Sequence, residues 1–218
     1  MENKNFSKRY LIVNEIFNAI THGIGFGTKH CRFSHSVSKR CKVRFSTIHI
    51  VSYAIYGSTM ILLFLFSTLF HSLIFTKARK VFQVFDHDSI FLLIAGSYTP
   101  FCLLSIKGWL GWLLFALIWL IAIIGIVYKS ITLHKVKQLS HFSTIVYIIM
   151  GWLCVIAFKP LVNSLGTIGT WLLALGGISY TIGAFFYSLK NVRFMHVVWH
   201  LFVMLGAILI YFSVLYYT

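Results

Sequence analysis

An all-α, polytopic membrane helix bundle is predicted for this chain by three observations. Its 218 residues are 59% hydrophobic and only 11% charged, they include two prolines, and their apolar runs recur at the length that crosses a bilayer. A soluble domain of this size cannot bury so much apolar surface, so lipid must cover most of it. One membrane domain spanning residues 1–218 is expected.

Six transmembrane helices follow in order. The first, over 48–74, is unbroken by charge and ends on Ser67 and His71; the second, 84–106, opens at Asp86 and closes before Lys107. The third, 109–128, lies between Trp109 and Lys129, and the fourth, 142–158, stops at Lys159 and Pro160. The fifth, 165–189, carries Gly176, Gly177 and Gly183, and the sixth, 197–217, follows His196. Glycines within the runs, namely Gly96, Gly125, Gly151, Gly176, Gly177, Gly183 and Gly206, are expected to let helices pack closely, while the prolines fall near span ends. The six tryptophans mostly mark span margins, as an aromatic belt predicts. No cleavable signal peptide is expected, because the first residues are polar and lack an apolar core with a cleavage site.

The net charge of +15 does not signal nucleic acid, because the bases sit between apolar spans and not on one soluble face. They report orientation. Lys77, Arg79, Lys80, Lys129, Lys135, Lys137, Lys190 and Arg193 occupy alternate connections, against Lys107 and Lys159 in the others. Basic loops face the cytoplasm, which leaves the C-terminus outside. With six helices the N-terminus would also be outside, although the first 46 residues carry nine Lys and Arg. A seventh span between Phe17 and Ile48 repairs this by placing Lys4, Lys8 and Arg9 in the cytoplasm.

The segment available for that span, TKHCRFSHSVSKRCKVRFS, is the least apolar of the chain. Codons compatible with Thr28 to Lys42 also encode, one base later, a run rich in Leu, Ile, Val, Ala and Gly, so residues 28–45 read as an aberrant patch translated between two compensating frameshifts. A basic loop or interfacial amphipathic segment is the other reading. The nucleotide sequence decides between them. Cys31 and Cys41, beside His30 and His35, match no common zinc-finger spacing, and with Cys102 and Cys154 inside apolar runs no disulfide framework is expected.

Three polar clusters interrupt the spans. Ser67 and His71 are four residues apart on one helix, His196 and His200 repeat that spacing at the start of the last, and Asp86 opens the helix between. An up-and-down arrangement brings all three to one depth. Ionisable groups in a membrane are costly unless partnered, so such a cluster points to function. Three imidazoles and a water match the donor set of catalytic zinc, which lowers the pKa of bound water to about 7. His71, His196 and His200 are the expected metal ligands, Asp86 the acid that orients the water or takes its proton, and Ser67 a hydrogen-bonding group beside the metal. His87 and Asp88 adjoin Asp86 and compete as the functional acid or are solvated. His22, His49, His134 and His141 are expected at the membrane interface.

The stretches NEIFNAITHGIG, STLFH, FDHDSIFLLIAGSYTPF and FMHVVWHLFVMLGA, in this order, resemble the bacterial hemolysin III family, a branch of the progestin and adipoQ receptor superfamily. The resemblance implies a seven-helix protein of the cell membrane, N-terminus inside, with zinc on His71, His196 and His200 and Asp86 near the metal-bound water. It also points to a wider group of membrane hydrolases, among them alkaline ceramidases, that act on lipid amides. Asp88 and the break after Gly27 depart from the family pattern. A zinc-dependent hydrolase of a membrane lipid amide or ester is therefore expected. The alternatives are a membrane-damaging cytolysin or pore, disfavoured by the lack of a continuous polar stripe, and a non-catalytic protein of membrane homeostasis or sensing. Substrate and oligomeric state are not legible.

Overall fold

The computed structural model describes residues 7–40, 46–132, 139–189 and 191–218, and of residues 25–40 and 139–141 the backbone alone. Among the described residues the chain is helical from end to end: α1 Lys8–Arg40, α2 Thr47–Ser72, α3 Arg79–Pro100 continued by a π-helical segment Phe101–Ile106, α4 Gly108–Thr132, α5 Leu139–Trp152 continued by a 3₁₀ segment Leu153–Ala157, α6 Phe158–Ser188 and α7 Met195–Tyr217. Five stretches are long and apolar enough to cross a membrane, namely α2, α3 with its π segment, α4, residues 142–188, and α7. The chain is thus a polytopic helical bundle.

Side-chain pairs fix the direction of each neighbour. Glu15 meets His71 and Gly23 faces Thr68, so α1 and α2 are antiparallel. Ser130 bonds Asp88 and Trp119 bonds Thr99, which makes α3 and α4 a hairpin about the turn at Gly108, where φ is +60°. Ser179 donates to the Phe202 carbonyl and Ser213 to that of Gly169, pairing α6 with α7. The N-terminal ends of α1, α3, α5 and α7 therefore gather with the C-terminal ends of α2, α4 and α6. That end carries Lys8, Arg9, Lys77, Arg79, Lys80, Lys129 and Arg193, and the other end carries Lys107 and Lys159. The charge asymmetry expected between alternate connections is a property of the bundle's two ends.

One boundary differs from expectation. Residues 159–164 were expected to connect two spans, but they stay helical, and the reversal falls inside α6 at Gly166, with φ 64° and ψ −175°. Only glycine takes that backbone readily, because at positive φ a Cβ crowds the carbonyl of the preceding residue. Trp152 Nε1 donates to Thr181 Oγ1 at 3.0 Å across the hairpin, so the two legs are antiparallel. Lys129 is a second correction: counted as a loop base, it is 3% exposed in the last turn of α4.

Small residues set the helix spacing, as expected for membrane packing. A Cβ at Gly96 would lie 2.0 Å from Thr59 Oγ1, and one at Gly206 would lie 2.7 Å from the Tyr180 ring. Gly125, Gly176 and Gly183 are equally tight; Gly177 meets only Trp152 at ordinary contact distance, and Gly151 faces open space, so that neither of these two serves close packing. Trp109, Trp112, Trp152 and Trp171 are exposed, and Trp152 and Trp199 border a cavity. Cys102 and Cys154 are free. The candidate out-of-frame patch, the Cys31 and Cys41 cluster, His134 and His141 lie outside the described side chains.

Candidate metal centre

The histidines are delivered by helix ends that α1 holds together. Glu15 and Asn18 are three apart and His22 four further on, so the three share one face of α1, and that face is turned to α2 and α7. Tyr10 fixes where α7 begins: its hydroxyl accepts the Phe194 N–H at 2.8 Å, and the two rings meet edge to face at 5.1 Å. Phe194 sits at φ 60°, a conformation uncommon for a bulky residue, immediately before the helix that carries His196 and His200.

His71, His196 and His200 offer one ligand nitrogen each, and these atoms lie within 4.8 Å of one another. A tetrahedral zinc ion, bonded at roughly 2.0–2.1 Å, needs its nitrogens about 3.3 Å apart, so small side-chain adjustments close the set. The hydrogen bonds fit the same purpose. Glu15 Oε2 takes His71 Nδ1, and Arg79 Nη2 donates to Glu15 Oε1 at 2.7 Å. His71 Nε2 is left buried and without a partner among the described residues. On His200, Nδ1 lies 3.3 Å from Thr21 Oγ1, whose own hydrogen goes to the Asn18 carbonyl at 2.9 Å. The hydroxyl can then only accept, so Nδ1 carries the proton and the Nε2 lone pair is free. A carboxylate holding the far nitrogen of a metal-binding histidine is the usual supporting arrangement of such sites. The donor set fits a divalent cation such as zinc.

Ser67 is buried and its Oγ has no partner among the described residues. Ser67, Asp86, His196 and His200 all border one cavity of about 250 Å³, which runs from this end along the bundle past Ile94, Phe101 and Leu173. The cavity thus touches one residue or more from each of the three polar clusters. Asp86 stands apart from the group of mutually close ligand atoms, with His87 Nδ1 3.7 Å from its Oδ2.

The neighbouring groups part company. His87 Nδ1 bonds the Gln83 carbonyl at 2.7 Å, turning back on its own helix. Asp88 is buried, not solvated, and accepts from Ser130 Oγ at 2.6 Å on the side facing α4. It does not border the cavity. His22, expected at the interface, is instead 3% exposed and stacked on His200, with ring centroids 3.7 Å apart. Glu15 was not singled out from the sequence and His22 was assigned to the interface, although their spacing on one face of α1 was the signal that would have joined them to the site.

Comparison with known proteins places the sequence among relatives. The family model described as Haemolysin-III related matches residues 10–211. Hemolysin-3 of Bacillus cereus is 44% identical over 207 residues, covering 95% of this chain and 93% of that protein. The Hemolysin-3 homolog of Bacillus subtilis is 43% identical over 208 residues, covering 95% and 96%. The human monocyte to macrophage differentiation factor is 31% identical over 166 residues, covering 73% and 67%. With a match across nearly its whole length, the chain belongs to the Haemolysin-III related family, as a multi-pass protein of the bacterial cell membrane.

Proposed function

We propose that this protein is a zinc-dependent hydrolase of an amide or ester bond in a membrane lipid, with His71, His196 and His200 as the metal ligands. One observation carries the reading: the ligand nitrogens of His71, His196 and His200 lie within 4.8 Å of one another, and two of these histidines, His196 and His200, border a long apolar cavity inside the bundle. A cavity of that kind takes an acyl chain, and its few polar groups position the bond to be cut. The cation supplies Lewis acidity, polarising a carbonyl and acidifying a water. Asp86, on the same cavity wall, is the carboxylate that accepts the proton of the attacking water and returns it to the leaving group. Ser67 Oγ–H, with its hydrogen uncommitted, is the donor to the substrate oxygen. Glu15 keeps His71 in the tautomer that presents Nε2.

The test is metal analysis of the purified protein in lipid nanodiscs, together with fatty-acid release from fluorescent N-acyl and ester lipids. Asp86→Asn should retain the metal and lose turnover by roughly 10²-fold or more, the range of general acid–base catalysis. Two relatives are named hemolysins, so dye leakage from liposomes is measured in parallel. Leakage that persists in His71→Ala, without fatty-acid release from the parent protein, overturns the hydrolase reading in favour of a cytolysin. Metal whose loss unfolds the bundle, without any turnover, favours a structural or sensory role.

A further inference from the structure

We infer that His22 is a hydrogen-bonding residue of this centre, gripping the oxygen of a carbonyl compound or water seated at the triad, and is not a fourth metal ligand. The inference rests on the metal reading above. His22 is buried in the bundle and borders the cavity beside Ser67 and His200, yet neither Nδ1 nor Nε2 has a hydrogen-bond partner among the described residues. Buried polar atoms are ordinarily paired, and an imidazole that borders a cavity with both nitrogens bare calls for a ligand that supplies the missing partner.

Geometry separates this role from ligation. The His22 and His200 rings are stacked, with an interplanar angle of 15° and centroids 3.7 Å apart. Imidazole lone pairs lie in the ring plane, so an ion bound in the plane of His200 stands about one ring thickness out of the plane of His22. The two rings cannot serve the same ion in this arrangement. An oxygen seated beside the ion is free to lie off that plane, toward His22. Phe64, edge-on to His22 at 5.1 Å and fully buried, holds the ring in place.

The experiment uses full-length protein loaded with cobalt(II), whose visible spectrum reports ligands, and acetohydroxamate as the carbonyl probe. His22→Phe keeps an aromatic ring in the stack and removes both nitrogens. It should bind cobalt at the parent stoichiometry and acetohydroxamate roughly tenfold more weakly, the worth of one hydrogen bond to a polarised oxygen. His22→Gln, with an amide donor, should stay within about threefold of the parent. His22→Met, a second side chain without a donor, repeats the loss should the phenyl ring disturb the fold. Unchanged acetohydroxamate affinity in both nitrogen-free variants overturns the role and leaves His22 a packing residue. Cobalt loss as complete as in His71→Ala overturns it in favour of ligation. A parent protein that takes up no cobalt sinks the metal reading itself, and this inference with it.

Discussion

Two buried polar clusters lie at the same end of the bundle, and they differ in what they leave open. Between α1, α2 and α7, Glu15 and Thr21 take the outer nitrogens of His71 and His200, while His71 Nε2, both nitrogens of His22 and Ser67 Oγ have no partner among the described residues. Between α3, α4 and α5, the polar heads are spent on one another: Ser130 donates to Asp88 and Lys129 Nζ donates to Ser143 Oγ at 3.0 Å. Among the described residues, Asp88 Oδ1 alone stays bare there. A cluster that closes on itself joins helices. One whose open atoms converge on a cavity is built to receive something, because a buried polar atom without a partner costs about 1–3 kcal/mol.

The contrast breaks most visibly at the triad. Replacing His71 or His200 by Ala should abolish metal retention after dialysis, measured by elemental analysis, because two imidazoles hold a cation far more weakly than three. Retention close to the parent level would remove the distinction between the clusters. An intermediate effect is expected of Glu15→Gln, which weakens the support of His71 without touching the ligand nitrogen. Metal affinity, read by competition with a chelator, should fall roughly 10-fold to 100-fold with the helical content unchanged. The smallest effect belongs to the second cluster. Ser130→Ala should lower stability to thermal unfolding by about 1 kcal/mol, the value of one hydrogen bond to a charged group at a partly exposed position, and leave the metal content as it was. A drop in metal content there would mean that the two clusters are coupled through α3.

The position of Glu15 shows how much the chain disclosed before folding. Its spacing to His22, seven residues along α1, was present in the sequence, but α1 is the least apolar helix and offered no span on which to hang a site. His71, His196 and His200 were legible because HxxxH and SxxxH stand out against apolar runs, where any ionisable group is conspicuous. Asp86 was legible for the same reason, whereas its separation from Asp88 was not. Two residues on, a helical side chain points about 200° away, and only the neighbours decide which of the two meets the cavity. Lys129 misled because a base at the end of an apolar run looks like a loop residue. Burial inside a bundle depends on the helices across from it.

The amino-acid pattern alone determined that this is a polytopic membrane bundle and which connections are basic. These follow from hydrocarbon thickness and from the cost of charge in lipid, both of which act on one segment at a time. Tertiary structure alone decided that α1 packs on the histidines of α2 and α7 through Glu15, Thr21 and His22, that the reversal after α5 falls at Gly166, and that Asp88 and Lys129 belong to a joint between helices. Each depends on which side chains meet across helix boundaries, and hydrogen bonds between segments more than fifty residues apart in the chain, such as Glu15 with His71, leave no local trace.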